Sequence, residues 1–173
     1  MNDTPISSHW HYVIGLGANL SEPKGHLSAA VTALAGTDTV EVLAVSSLYA
    51  TKPWGKTDQG DFLNAAVLVS TNMEPEQMLS TCLLIEHNMG RERNERWGPR
   101  NIDLDVLWWS SGEFRSEGLT IPHSELPNRA FALVPLVELV PDAQLGQQKA
   151  SSVLECLPDQ GVHLSEPSGW HQA

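Results

Sequence analysis

Apolar positions along the chain fall into two periods. Over residues 12–17, Tyr12, Ile14 and Leu16 share one face, Val13 takes the other, and a glycine closes the run, which predicts a strand. Ser21-Glu22-Pro23 then marks a helix start, with Leu27, Ala30, Val31, Leu34 and Ala35 at helical spacing until Gly36. Residues 40–49 read as one long strand and 62–70 as another, separated by the loop 51–61 with Trp54 in it. Glu74-Pro75 opens a second helix carrying Met78, Leu79, Cys82, Leu83, Ile85 and Glu86, and Gly90 fits its stop.

A charged stretch at 91–100 leads into a strand over 102–109. Ser110-Ser111-Gly112-Glu113 predicts a hairpin into the extended run 119–123. Asn128 is placed to cap a third, apolar helix that runs through Val140, and Ser151 or Ser152 to start a short last one. From Pro158 onward the chain is polar and without period. Strand, helix, strand, strand, helix, strand is the order of a split βαβ unit. The expected fold class is therefore α+β, a ferredoxin-like split βαβ sandwich with an antiparallel or mixed sheet and helices packed on its faces. No repeat or dividing linker is visible, so 1–173 reads as a single domain, with 1–10 and 158–173 as flexible or peripheral tails.

Composition narrows the partners. With 173 residues, 41% hydrophobic and 18% charged, the chain can bury a core and is not of the disordered class. Its longest apolar run, 131–140, is interrupted by Pro135 and Glu138, too short to span a bilayer, and no basic, apolar export signal opens the chain. Cys82 and Cys156 lie in helix-like patterns and are expected as reduced thiols of a cytoplasmic protein. A net charge of −11 argues against nucleic acid, whose binding rests on neutralising many phosphates. A small polyphosphate needs only a local positive pocket, and four of the six arginines (Arg91, Arg93, Arg96 and Arg100) fall within ten residues.

Asp103 and Asp105 follow directly. On a strand, residues two apart point the same way with Cα atoms about 6.5–7 Å apart, while Ile102, Leu104 and Val106 take the core side. Adjacent carboxylates repel unless a cation sits between them, and Mg²⁺ bound by one or two carboxylates plus phosphate oxygens fits the spacing. The plainer alternative is a solvated strand face. Guanidinium groups grip phosphate through paired donors, against which stands an ordinary surface loop paired with Glu92 and Glu95. Trp97, inside the charged run, suits a lid or stacking role. His123 and Arg129 carry little weight alone. Asn64, on an apolar strand, needs partners for both ends of its amide; a heterocyclic amide supplies both, and so would a neighbouring loop backbone. Gly15 and Gly17 fall short of a dinucleotide fingerprint, and no Walker-type lysine, zinc spacing or nucleophilic serine motif is present.

Taken together, Arg96-Trp97-Gly98-Pro99-Arg100-Asn101-Ile102-Asp103-Leu104-Asp105 resembles the signature of the 6-hydroxymethyl-7,8-dihydropterin pyrophosphokinase family. Gly15-Leu16-Gly17-Ala18-Asn19-Leu20, Phe62-Leu63-Asn64-Ala65, Pro122-His123 and Asn128-Arg129-Ala130-Phe131 support it in order, over about 12–140. The resemblance implies a folate-pathway enzyme that moves pyrophosphate from ATP, its co-substrate, to the pterin hydroxymethyl group and releases AMP. It implies two Mg²⁺ ions on Asp103 and Asp105, and Arg91 and Arg100 on the triphosphate. Glu86, Arg93, Trp97, His123 and Arg129 would complete the ATP site. Thr51, Trp54, Phe62, Asn64, Trp97 and Phe131 would hold the pterin. The partners expected are small molecules only, with a monomer as the working form.

Three positions depart from the family pattern: Asn94 in place of a lysine, Gly118 in place of an arginine, and Ser124 in place of an aromatic or proline. This thinner basic shell keeps a second class in view, a non-catalytic paralogue that binds pterin or nucleotide without turnover. A structural module using the acidic surface ranks last.

Overall fold

The computed structural model describes residues 9–53, 60–90 and 101–172. In chain order the elements are β1 (Trp10–Ala18), α1 (Pro23–Ala35), β2 (Val40–Val45), β3 (Leu48–Thr51), β4 (Phe62–Thr71), α2 (Pro75–Asn88), β5 (Asp103–Trp109), β6 (Phe114–Ser116), β7 (Leu119–Ile121), α3 (Ala130–Leu139), β8 (Gln144–Leu145), β9 (Gln148–Lys149), α4 (Ala150–Cys156) and β10 (His163–Glu166). The main sheet runs β10-β3-β4-β1-β5, with β2 also on β4, and every pairing among the described residues is antiparallel. The antiparallel form of the expected α+β sandwich is therefore the one present.

Strand alternation sorts the side chains into two layers. Tyr12, Ile14, Leu16, Val67, Val69, Leu104 and Val106 pack on the side of α1 (Leu27, Val31, Leu34) and α2 (Met78, Cys82, Ile85). Val13, Ala66 and Leu107 pack on the other side with Leu133 and Leu136 of α3. Burial on this scale, at about 25 cal/mol per Å² of apolar surface, is what holds helices with weak caps to the sheet. Of these helices α2 alone has a full capping box, between Glu74 and Gln77. Neither cysteine is in a disulfide; Cys82 is buried and Cys156 exposed.

Four expectations need correction. The long strand over 40–49 is broken at Ser46-Ser47 into β2 and β3, which share β4 as partner. There the Ser46 hydroxyl accepts the Ala66 N–H at 2.9 Å, and its carbonyl accepts Trp170 Nε1–H at 2.8 Å. From the opposite layer the Glu138 carboxylate accepts the Ser47 N–H and hydroxyl and the Tyr49 hydroxyl, at 2.8–3.0 Å. These outside partners satisfy the backbone where the ladder stops.

The hairpin turn lies at Glu117-Gly118 between β6 and β7, not at 110–113. Gly118 stands at φ +86, in the left-handed region that favours glycine, which accounts for glycine at this position. Asn128 does not cap α3: it closes a 3₁₀ turn, and Arg129 occupies the cap position without a side-chain cap bond. Nor, among the described residues, are Trp10 and 158–172 simply tails. Trp10 begins β1 opposite Thr71, β10 pairs with β3, and Trp170 is 3% exposed in the core.

Candidate active site

Two glycines on the central strand set the floor of the site. In β1, Gly17 lies between Asn64 of β4 and Asp103 of β5, and Gly15 lies between Ala66 and Asp105. A Cβ on Gly15 would stand 2.9 Å from Leu107 Cδ1, so this glycine lets the bulged Leu107 pack across the strand. A Cβ on Gly17 would meet Asn64 Oδ1 at 3.5 Å, an ordinary contact. Without side chains at these positions, the floor is bare backbone flanked by an amide on one edge and carboxylates on the other.

Above this floor opens a cavity of about 250 Å³, walled by β3, β4, β5 and the start of α3. It brings together Thr51, Phe62, Asn64, Asp103, Asp105, Arg129 and Phe131 of the residues expected from the sequence. Asn64 is 4% exposed and donates through Nδ2 to the Thr51 hydroxyl at 2.9 Å. The partner is thus a neighbouring strand's side chain, not a loop backbone. The Arg129 guanidinium stands 5.9 Å from the centroid of the Phe131 ring, a cation–π spacing.

His123 follows a cis Ile121-Pro122 bond, donates its backbone N–H to the Leu107 carbonyl at 2.9 Å, and accepts the Glu125 N–H on Nδ1 at 3.2 Å. Burial first, then the positive charge of Arg129, holds its imidazole below the usual value; Glu125 and Asp103 oppose this. The neutral ring is the favoured form near pH 7. His123 does not line the cavity, and neither does Glu86. Glu86 is 3% exposed on the α2 side, where Oε1 accepts the Leu104 N–H at 2.7 Å, between the two aspartates. Arg91, Arg93, Trp97, Arg100 and Trp54, like Asn94, lie outside the described residues.

The cavity also takes in Gly15, Gly17 and Asn128, which the sequence offers only as parts of the family-like stretches, together with Lys52 and Glu125. Glu125, two positions after His123, carries a weak signal; in the sequence the glycines stand as an incomplete nucleotide motif and as part of the family-like run 15–20. Lys52 pairs with Asp61 at 3.2 Å, but with its side chain 80% exposed the pair adds little stability.

Asp103 and Asp105 are half-buried on the cavity side of β5, with Leu104 and Val106 buried opposite. No group of three or more His, Cys, Asp or Glu side chains among the described residues converges as a metal cage. Two hard carboxylates facing a cavity fit a Mg²⁺ that keeps water and phosphate oxygens for its other positions.

The chain has close likenesses among named proteins. The family model described as 7,8-dihydro-6-hydroxymethylpterin-pyrophosphokinase (HPPK) matches residues 13–141. A 2-amino-4-hydroxy-6-hydroxymethyldihydropteridine pyrophosphokinase of Methylorubrum extorquens is 43% identical over 153 residues, 88% of this chain and 97% of that protein. One of the same name from Haemophilus influenzae is 39% identical over 132 residues, 76% of this chain and 82% of that protein. Among solved structures, the wild-type HPPK-DHPS of Plasmodium falciparum superposes with a TM-score of 0.68 at 15% identity. That match covers 86% of this chain and 43% of the larger one, and speaks for the fold alone. With its carboxylate pair, its buried amide and a match over 13–141, this chain belongs to the 7,8-dihydro-6-hydroxymethylpterin-pyrophosphokinase family.

Proposed function

We propose that the cavity over Gly15 and Gly17 is where this chain carries out the reaction of its family. The chain is a pyrophosphokinase that transfers pyrophosphate from ATP, its co-substrate, to the hydroxymethyl group of 6-hydroxymethyl-7,8-dihydropterin in folate synthesis. The observation that carries the assignment is the placement of Asn64 and Asp103 on either side of Gly17, both facing one cavity.

Asn64 and Thr51 read the amide edge of the pterin, whose ring lies between Phe62 and Phe131. Stacking of this kind contributes beyond buried area. Asp103 and Asp105 would hold the two Mg²⁺ ions, which would neutralise charge on the phosphate oxygens. Arg129 and His123 hold the nucleotide, and Glu86 orients β5 from behind. Arg91, Arg93 and Arg100 contact the triphosphate, Trp97 serves both substrates and Trp54 the pterin, a reading supported by the Arg96–Asp105 motif. With the substrates so held, the hydroxymethyl oxygen attacks the β-phosphorus in line and AMP departs. The chain supplies positioning and charge rather than covalent chemistry. We propose a cytoplasmic monomer as the working form; among the described residues no helix is long and apolar enough to cross a membrane.

The test is incubation of folded protein with Mg-ATP and the dihydropterin, following AMP. The expected result is AMP formation that Asp103→Asn lowers by more than about a hundredfold. No AMP above background from the unaltered protein would sink the assignment.

A further inference from the structure

We infer that Gln160, beyond the stretch matched by the family model, is a positioning residue that sets Arg129 and Phe131 in the cavity. Its side-chain amide brackets Arg129. Gln160 Oε1 accepts the Ala130 N–H at 3.0 Å, and Gln160 Nε2 donates to the Asn128 carbonyl at 3.0 Å. The inference rests on the roles given above to Arg129 and Phe131.

The chain needs such a bracket here. Arg129 sits at φ −119, ψ 96 between a 3₁₀ turn and α3, and offers no side-chain cap. The first amide of a helix has no partner within the helix, and Ala130 is 5% exposed, so its N–H would otherwise be buried unpaired. An amide side chain accepts and donates through two separate atoms, so it can fix the peptides on both sides of a single residue. Gln160 is itself held from two directions. Before it, α4 packs in the same apolar layer as α3; after it, β10 pairs with β3, the strand that carries Thr51. A rotation of the Arg129 backbone would swing its guanidinium and, two residues on, the Phe131 ring.

Gln160→Ala and Gln160→Glu are compared with Lys24→Met, which breaks the 2.8 Å pair between α1 and Glu166 of the same C-terminal segment, away from α3. Hydrogen exchange at the Ala130 amide, without ligand, is expected to be about tenfold faster in Gln160→Ala and unchanged in Lys24→Met. The KM for ATP and the Kd for dihydropterin should each rise about fivefold to tenfold in Gln160→Ala, with kcat within about twofold. Gln160→Glu, which keeps the acceptor and loses the donor, should fall between. Unchanged exchange at Ala130, or a KM no higher than that of Lys24→Met, overturns the inference. Absence of AMP from the unaltered protein would instead remove the functional reading, and exchange at Ala130 still decides whether Gln160 holds the helix start.

Discussion

Glu86 of α2 accepts the backbone N–H of Leu104, the one residue between Asp103 and Asp105, at 2.7 Å. A buried carboxylate thereby fixes, from the α1–α2 side, the strand whose other face carries the proposed metal ligands. Glu86→Ala leaves a buried donor unpaired, which costs about 1–3 kcal/mol, and a melting temperature lower by roughly 3–10 °C is expected. The Mg²⁺ concentration for half-maximal AMP formation should rise as well. A lower melting temperature with an unchanged Mg²⁺ requirement would confine Glu86 to holding the fold.

Asn64 is expected to separate the two substrates. Removing it strips donor and acceptor from a buried edge, so Asn64→Ala should weaken pterin binding roughly 10- to 100-fold. The KM for ATP should stay within about twofold, because the nucleotide contacts lie elsewhere. Thr51→Val, which keeps the shape but loses the hydroxyl that accepts Asn64 Nδ2 at 2.9 Å, should cost about fivefold. Calorimetry with each ligand decides; equal losses for both would reject this division.

The two floor glycines should respond differently to one methyl group. Gly15→Ala drives a Cβ to within 2.9 Å of Leu107 and is expected to cost about 1–3 kcal/mol, and combined with Leu107→Ala the two should cost less than the sum of the single changes. Gly17→Ala meets only a 3.5 Å contact, so its urea midpoint should hold while pterin affinity falls. A midpoint lowered equally in both variants would refute the difference.

His123 gives a pH signature. Burial and Arg129 hold its folded value below 6.5, so as pH falls through 6.5 the unfolded chain takes up a proton that the folded chain does not. The contribution is therefore present above pH 6.5 and is lost on the acid side. In His123→Gln the drop in unfolding free energy between pH 7.5 and 5.5 should be smaller than in the unaltered protein, as read by urea titration at both pH values. An identical drop would show that His123 is not the group responsible.

Period-two alternation was enough to place Asp103 and Asp105 on one face, because the pleat alone dictates it. Which residues sit beside them was not legible, since the register that sets Gly17 between Asn64 and Asp103 is chosen by the whole sheet. The break at Ser46-Ser47 was hidden for a similar reason. Its partners, Trp170 and Glu138, lie 124 and 91 residues away along the chain. Asn128 looked like a cap by residue type, yet the amide that serves the start of α3 comes from 30 residues downstream. Strand β10 escaped notice because His163, Leu164 and Ser165 stay exposed, and an edge strand can be held through its backbone without a hydrophobic stripe.

Ser46 and Ser47 are gripped from opposite sides of the sheet, one by an indole of the α1 layer and the other by a carboxylate of the α3 layer. Loosening either layer withdraws support from the same two peptide units and so weakens the other. Near-ultraviolet signals from Trp170 and amide exchange in α3 are therefore expected to report one shared cooperative melting, with neither side of the molecule surviving alone.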